Sequence, residues 1–128
     1  MSEQRVRFTE RQRPGAFNYP FATTLLTATT EGAAQTLATV REGSNAIVKR
    51  LVACNQTGSA VAVTVYFIPS GGTIGASNRE ITAISVPANS NLDLTEMIGG
   101  LYSEGTVVKA FAASGTAILM AGYIEGRP

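Results

Sequence analysis

Histidine is absent from this 128-residue chain. That absence removes the usual general base, the imidazole metal ligand and every Ser-His or Cys-His nucleophilic pair. Aspartate occurs once, as Asp93, and the glutamates are scattered. A glycosidase needs two carboxylates across a cleft, and no spacing among Glu80, Asp93, Glu96 and Glu104 marks such a pair. Catalysis is therefore not expected.

Cysteine also occurs once, as Cys54, so no disulfide can form within the chain. In the run Leu51-Val52-Ala53-Cys54-Asn55 it reads as a small, inert core hydrophobe, with an intermolecular bridge as the alternative. Tryptophan is missing, which weakens the alternative of a carbohydrate- or receptor-binding module, since such sites stack sugar rings on exposed aromatics. No segment approaches the roughly 18 consecutive apolar residues of a membrane helix. The opening MSEQRVRFTERQRP lacks the apolar run of a signal peptide. The expectation is a soluble protein that folds in a cytosolic environment, with no membrane partner. The glycine-rich stretch 71–75 has neither GxxxxGK[ST] nor GxGxxG spacing, and no cofactor is expected.

What is present points to one folded domain. The chain is 45% hydrophobic and 15% charged, with a formal net charge of +1. That balance belongs to a chain able to bury a core, and its length suits a single domain. From residue 22 onward, runs rich in Thr, Val, Ile and Ala alternate with Gly, Ser, Asn and Pro, the pattern of strands and turns. The predicted strands are 22–29, 35–40, 46–55, 60–68, 80–86, 90–94, 106–113 and 117–124. This spacing predicts an all-β fold, a single antiparallel β-sandwich or jelly roll of about eight short strands.

Within 60–68, Val61, Val63, Val65 and Phe67 share one face and Ala62, Thr64 and Tyr66 the other, so the first set faces the core. Within 106–113, Lys109 places Val108, Ala110 and Ala112 inside. Hairpins are predicted across Asn55-Gln56-Thr57-Gly58-Ser59 and across Ser114-Gly115, where glycine can supply a positive φ. Residues 69–78 read as a long polar connection. Residues 94–101 could hold one helical turn with Thr95 as N-cap.

Residues 1–21 differ from the rest. Pro14-Gly15 and Pro20 interrupt any regular element, and the segment reads as an extended N-terminal arm on a domain spanning 22–128. Four of the ten basic residues lie here, Arg5, Arg7, Arg11 and Arg13, against Glu3 and Glu10. Phe8, Phe17 and Tyr19 interleave aromatic surface. Arginine and aromatic side chains together suit a protein partner through guanidinium pairs and ring burial. Four arginines offset by two glutamates are too weak a footprint to predict nucleic acid as that partner.

The series AIVKRLVACNQTGS, AVAVTVYFIPSGG, NREITAISVPANSNLDL and GTVVKAFAASGTAILMAGYIE covers residues 46–125. It resembles small β-sandwich virion proteins of tailed bacteriophages. The resemblance implies a structural component of the virion, decorating or cementing the capsid or joining a neck, tail or fibre. Its implied partners are the major capsid protein or neck and tail proteins, together with further copies of itself in a trimer or other closed ring. It carries over no catalytic residue, and residues 1–45 lie outside it.

Overall fold

The computed structural model describes residues 17–21, 23–98 and 100–127, with only the backbone described at 17–19 and 127. Nine strands carry these residues: β1 (Phe17–Pro20), β2 (Thr24–Leu25), β3 (Gln35–Thr39), β4 (Asn45–Asn55), β5 (Val61–Ile68), β6 (Arg79–Val86), β7 (Ser90–Asp93), β8 (Val107–Ala112) and β9 (Ile118–Arg127). Three single 3-10 turns complete the regular structure.

The strands form two antiparallel sheets. The first runs β1-β9-β4-β7, with β2 also paired to β9, and the second runs β3-β8-β5-β6. β1 and β2 lie one after the other along the same edge of β9, opposite residues 123–126 and 119–120. Counted as one interrupted strand they bring the total to eight. Both sheets interleave strands from the two halves of the chain, the connectivity of a jelly roll.

Between the sheets lies one apolar core built from alternate residues of every long strand. Leu26, Leu51, Ala53, Val63, Val65, Val86, Leu94, Ala110, Ala112, Ile118 and Met120 are all fully buried there. The predicted inward faces of β5 and β8 are those observed, with Val61, Val63, Val65, Phe67, Val108, Ala110 and Ala112 all buried.

Several local expectations are corrected. The corners 55–59 and 114–115 are not hairpins, because β4 and β9 belong to the first sheet while β5 and β8 belong to the second. Each corner carries the chain across the core to the facing sheet. Neither corner uses glycine for a positive φ: Thr116 has φ 60° at the second, and the first is organised by the Asn55 side chain. The predicted strand 22–29 shrinks to Thr24–Leu25, while pairing begins earlier, at Phe17. Tyr66, expected on the solvent side, is fully buried. Cys54 is half-buried and absent from the core cluster. It faces outward between Leu119 and Asn91, because its neighbours Ala53 and Asn55 take the inward positions.

Thr95 does not cap the turn Thr95–Met97, since Leu94 holds that position. Its hydroxyl instead accepts a hydrogen bond from the Leu51 amide at 2.9 Å. Residues 69–78 form a loop with its own bonds: the Gly72 amide donates to the Pro69 carbonyl at 2.8 Å, and the Asn78 amide to the Gly75 carbonyl at 3.0 Å.

Candidate interaction surfaces

Antiparallel pairing fixes the end of the sandwich at which β1 begins. Phe17 lies opposite Gly126 and Pro20 opposite Tyr123, so β1 enters from one end of the sandwich. Ala46 also pairs with Gly126, and Ala46 exchanges two 2.8 Å backbone bonds with Tyr102. Phe17, Gly126, Ala46 and Tyr102 therefore form one row across the sheet. The same end carries the turn after β3, where the Gly43 amide donates to the Glu104 carboxylate at 3.1 Å, and the loop after β5. Of the predicted partner-binding residues, Arg5, Arg7, Phe8, Arg11 and Arg13 lie outside the described residues. Phe17 and Tyr19 are backbone positions in β1.

Tyr102 closes this end of the core. Its ring stacks on Phe67 with centroids 4.3 Å apart, and its hydroxyl donates to Glu80 at 3.3 Å. Burial, followed by the Glu80 charge, pushes the phenol well above the ordinary tyrosine range. It stays protonated and acts as a donor.

Past Asp93 the chain leaves the β-ladder, with Leu94 and Thr95 bonded to Leu51 and Tyr102 to Ala46 along the edge of β4. The Leu94 amide donates to the Leu51 carbonyl at 2.7 Å, a turn follows, and Ile98 packs against the core. The Asp93 carboxyl is held below its usual range by hydrogen bonds from the Thr95 hydroxyl and amide. Met97 and Leu101 face solvent at 44% and 58% exposure.

A second cluster sits on the outer face of the second sheet. The Tyr66 hydroxyl donates to Glu31 at 2.7 Å, and Arg79 reaches the same carboxylate oxygen at 3.2 Å. The guanidinium lies 5.9 Å from the Tyr66 ring centroid, and the Phe111 ring stacks with Tyr66 at 6.2 Å. These contacts cover the face that the sequence pattern assigns to solvent. They join residues 35 and 48 positions apart in sequence, so no local pattern could have announced them.

The Tyr66 hydrogen bond, then that from Arg79, holds the Glu31 carboxyl below its ordinary value. A carboxylate depressed on folding contributes stability above its unfolded pKa and loses it as pH falls through the folded value. Acid should therefore weaken this corner below the normal carboxylate range. Tyr66→Phe removes the largest cause of the depression. We expect a small loss of stability at pH 7 and a smaller gap between the variant and the wild type at pH 3, read from urea midpoints.

An open depression of about 340 Å³ lies between residues 69–74 and Gly105, Val107 and Lys109. Lys109 is the one ionisable side chain lining it. Among the described residues no three His, Cys, Asp or Glu side chains gather as a metal site. Of the side chains described, the well-exposed large apolar ones are Leu25, Met97, Leu101 and Tyr123, so Tyr123 is the one open aromatic platform among them. No described helix is long and apolar enough to cross a membrane.

No family model matches the chain, and no curated protein matches it. Among solved structures it is similar to a chain of the infectious bursal disease virus Gx strain, at 15% identity and TM-score 0.44, covering 90% of this chain and 32% of that one. A chain of the T13 particle of the same virus is similar at 13% identity and TM-score 0.48, covering 88% and 31%. A chain of the Bacillus endospore appendages, described as disulfide-linked pili, is similar at 15% identity and TM-score 0.36, covering 87% and 79%. The chain spans about a third of the length of the virus chains.

Proposed function

We propose that the protein is a non-catalytic structural subunit of a virion. The resemblance of residues 46–125 narrows this to a decoration or cement protein on a tailed-bacteriophage capsid, with a neck, tail or fibre position as the alternative. Its partners on this reading are the major capsid protein, or neck and tail proteins, and further copies of the same chain. It is made in the host cytoplasm and resides in the virion.

The observation that carries the reading is the attachment of the arm to an edge. β1 is four residues long and lies at the margin of its sheet, and the segment before it carries Arg5, Arg7, Phe8, Arg11 and Arg13. Edge strands offer unpaired backbone groups to another chain, and arms leaving them can wrap a neighbour. Sixteen residues reach up to about 50 Å when extended, more than the width of a small domain.

A sharp test deletes residues 2–16 and leaves β1 in place. Virions assembled with the truncated chain are expected to retain about a tenth or less of its normal copy number, read from gel densitometry of purified particles, a loss equivalent to about 1.4 kcal/mol of binding or more. Full occupancy by the truncated chain would overturn the assignment of docking to the arm.

A further inference from the structure

The side of the first sheet away from the arm has a composition complementary to it. From residue 90, where the margin strand β7 begins, to residue 104 the chain holds Asp93, Glu96 and Glu104 and no lysine or arginine. The arm holds four arginines against Glu3 and Glu10. The cation whose charge acts on Asp93 is Arg50, from the adjoining strand β4. Met97 and Leu101 stand exposed within this acidic stretch, so it offers both apolar contact and opposite charge. Such a pairing suits a segment that mixes Arg with Phe.

Topology argues for which molecule supplies that segment. The arm leaves from β1 and the acidic strip flanks β4 and β7, at opposite margins of one sheet ordered β1-β9-β4-β7. Yet both lie at the same height, since Phe17 and Tyr102 end the same cross-sheet row through Gly126 and Ala46. Two copies placed side by side in the same orientation bring the arm root of one level with the strip of the next. A donor on one margin and an acceptor on the other is a heterologous contact, which closes into a ring when repeated about an axis.

We propose that Met97 and Leu101, framed by Glu96 and Glu104, receive residues 1–16 of a second copy of this chain. The inference rests on the assembly reading above and adds the receiving surface to it. Phe8 supplies the apolar contact, and the arginines meet the glutamates flanking the strip.

The test uses the full chain with Cys54→Ser as background, carrying Arg7→Cys and Leu101→Cys together. Mild oxidation is expected to give covalent dimers and larger species on a non-reducing gel. A bond formed solely within one chain would overturn the proposal, as would failure to form any. In parallel, Met97→Lys with Leu101→Lys is expected to weaken self-association about tenfold in sedimentation, with the thermal midpoint unchanged because both side chains are exposed.

Wild-type association by the double lysine variant, alongside a monomeric 2–16 deletion, would sink this site and leave the arm reading intact. Wild-type association by the deletion itself would sink the arm reading. A full chain that stays monomeric at every concentration reached would overturn the receiving surface.

Discussion

Gly122→Ala is expected to cost about 4 kcal/mol, combining backbone strain of about 1–3 kcal/mol with overpacking of similar size. Gly122 sits in the middle of β9 opposite Leu51, with φ 153°. A Cβ there would fall on the Arg50 carbonyl oxygen and lie 2.8 Å from its carbon and 3.0 Å from Leu51 Cα. The approach is this close because β4 shifts register between Val48 and Arg50, pushing backbone toward the neighbouring strand.

Relief is not available from a side chain, since the obstructing atoms are backbone inside the central β4-β9 pair. Opening that pair breaks the longest ladder among the described residues, ten residue pairs from Asn45↔Arg127 to Asn55↔Ile118. Against a typical total of about 5–15 kcal/mol, the loss removes a large share of the stability. Urea unfolding would read it directly. Gly58→Ala is the control: nothing lies within 4 Å of its Cβ position, and a shift within about 1 kcal/mol is expected. A Gly122→Ala midpoint matching the control would refute the close-approach argument.

The register shift that makes Gly122 necessary leaves no trace in the sequence pattern, and the reason is physical. Alternation reports which side chains face the core, so Val61, Val63, Val65 and Phe67 are legible, as are Val108, Ala110 and Ala112. A bulge is one extra residue whose cost is settled by the partner strand. Turn residues likewise report that the chain reverses without saying where the next strand pairs. Asn55-Gln56-Thr57-Gly58-Ser59 and Ser114-Gly115 both reverse the chain, and both send it to the opposite sheet, because the neighbouring positions are already filled: β9 and β7 flank β4, and β3 and β5 flank β8.

The interaction surfaces are legible in part for the same reason. Clustered arginines and aromatics mark residues 5–19 by composition alone. The strip at Met97 and Leu101 reads as a loop or a single turn, since its exposure depends on β7 ending at Asp93. The Glu31-Tyr66-Arg79 cluster depends on three elements meeting on one sheet face, which only the fold decides.

Asn55→Asp, a nearly isosteric change, is expected to destabilise the protein at neutral pH by about 3–5 kcal/mol. Asn55 is 2% exposed at the end of β4. Its amide nitrogen donates to the Ser59 carbonyl at 2.8 Å and the Val86 carbonyl at 3.0 Å. Its oxygen accepts from the Thr57 amide at 2.9 Å and the Thr57 hydroxyl at 2.7 Å. All four hydrogen-bonding positions of the amide are used, tying the corner after β4 to the last residue of β6 in the facing sheet.

A carboxylate in this site turns an acceptor toward two carbonyl oxygens, so its charged form is disfavoured by repulsion and burial together. Its folded pKa must rise above the unfolded value. The penalty is then complete above the raised value and shrinks as pH falls through it, because the protonated carboxyl recovers one of the two donor bonds that the Asn55 amide makes. Unlike the wild type, in which acid removes the contribution of Glu31, the variant should regain stability relative to it between neutral pH and the ordinary carboxylate range. Parallel urea titrations at pH 7 and pH 5 test this, and a variant within about 1 kcal/mol of wild type at both would show that the corner is held by backbone alone.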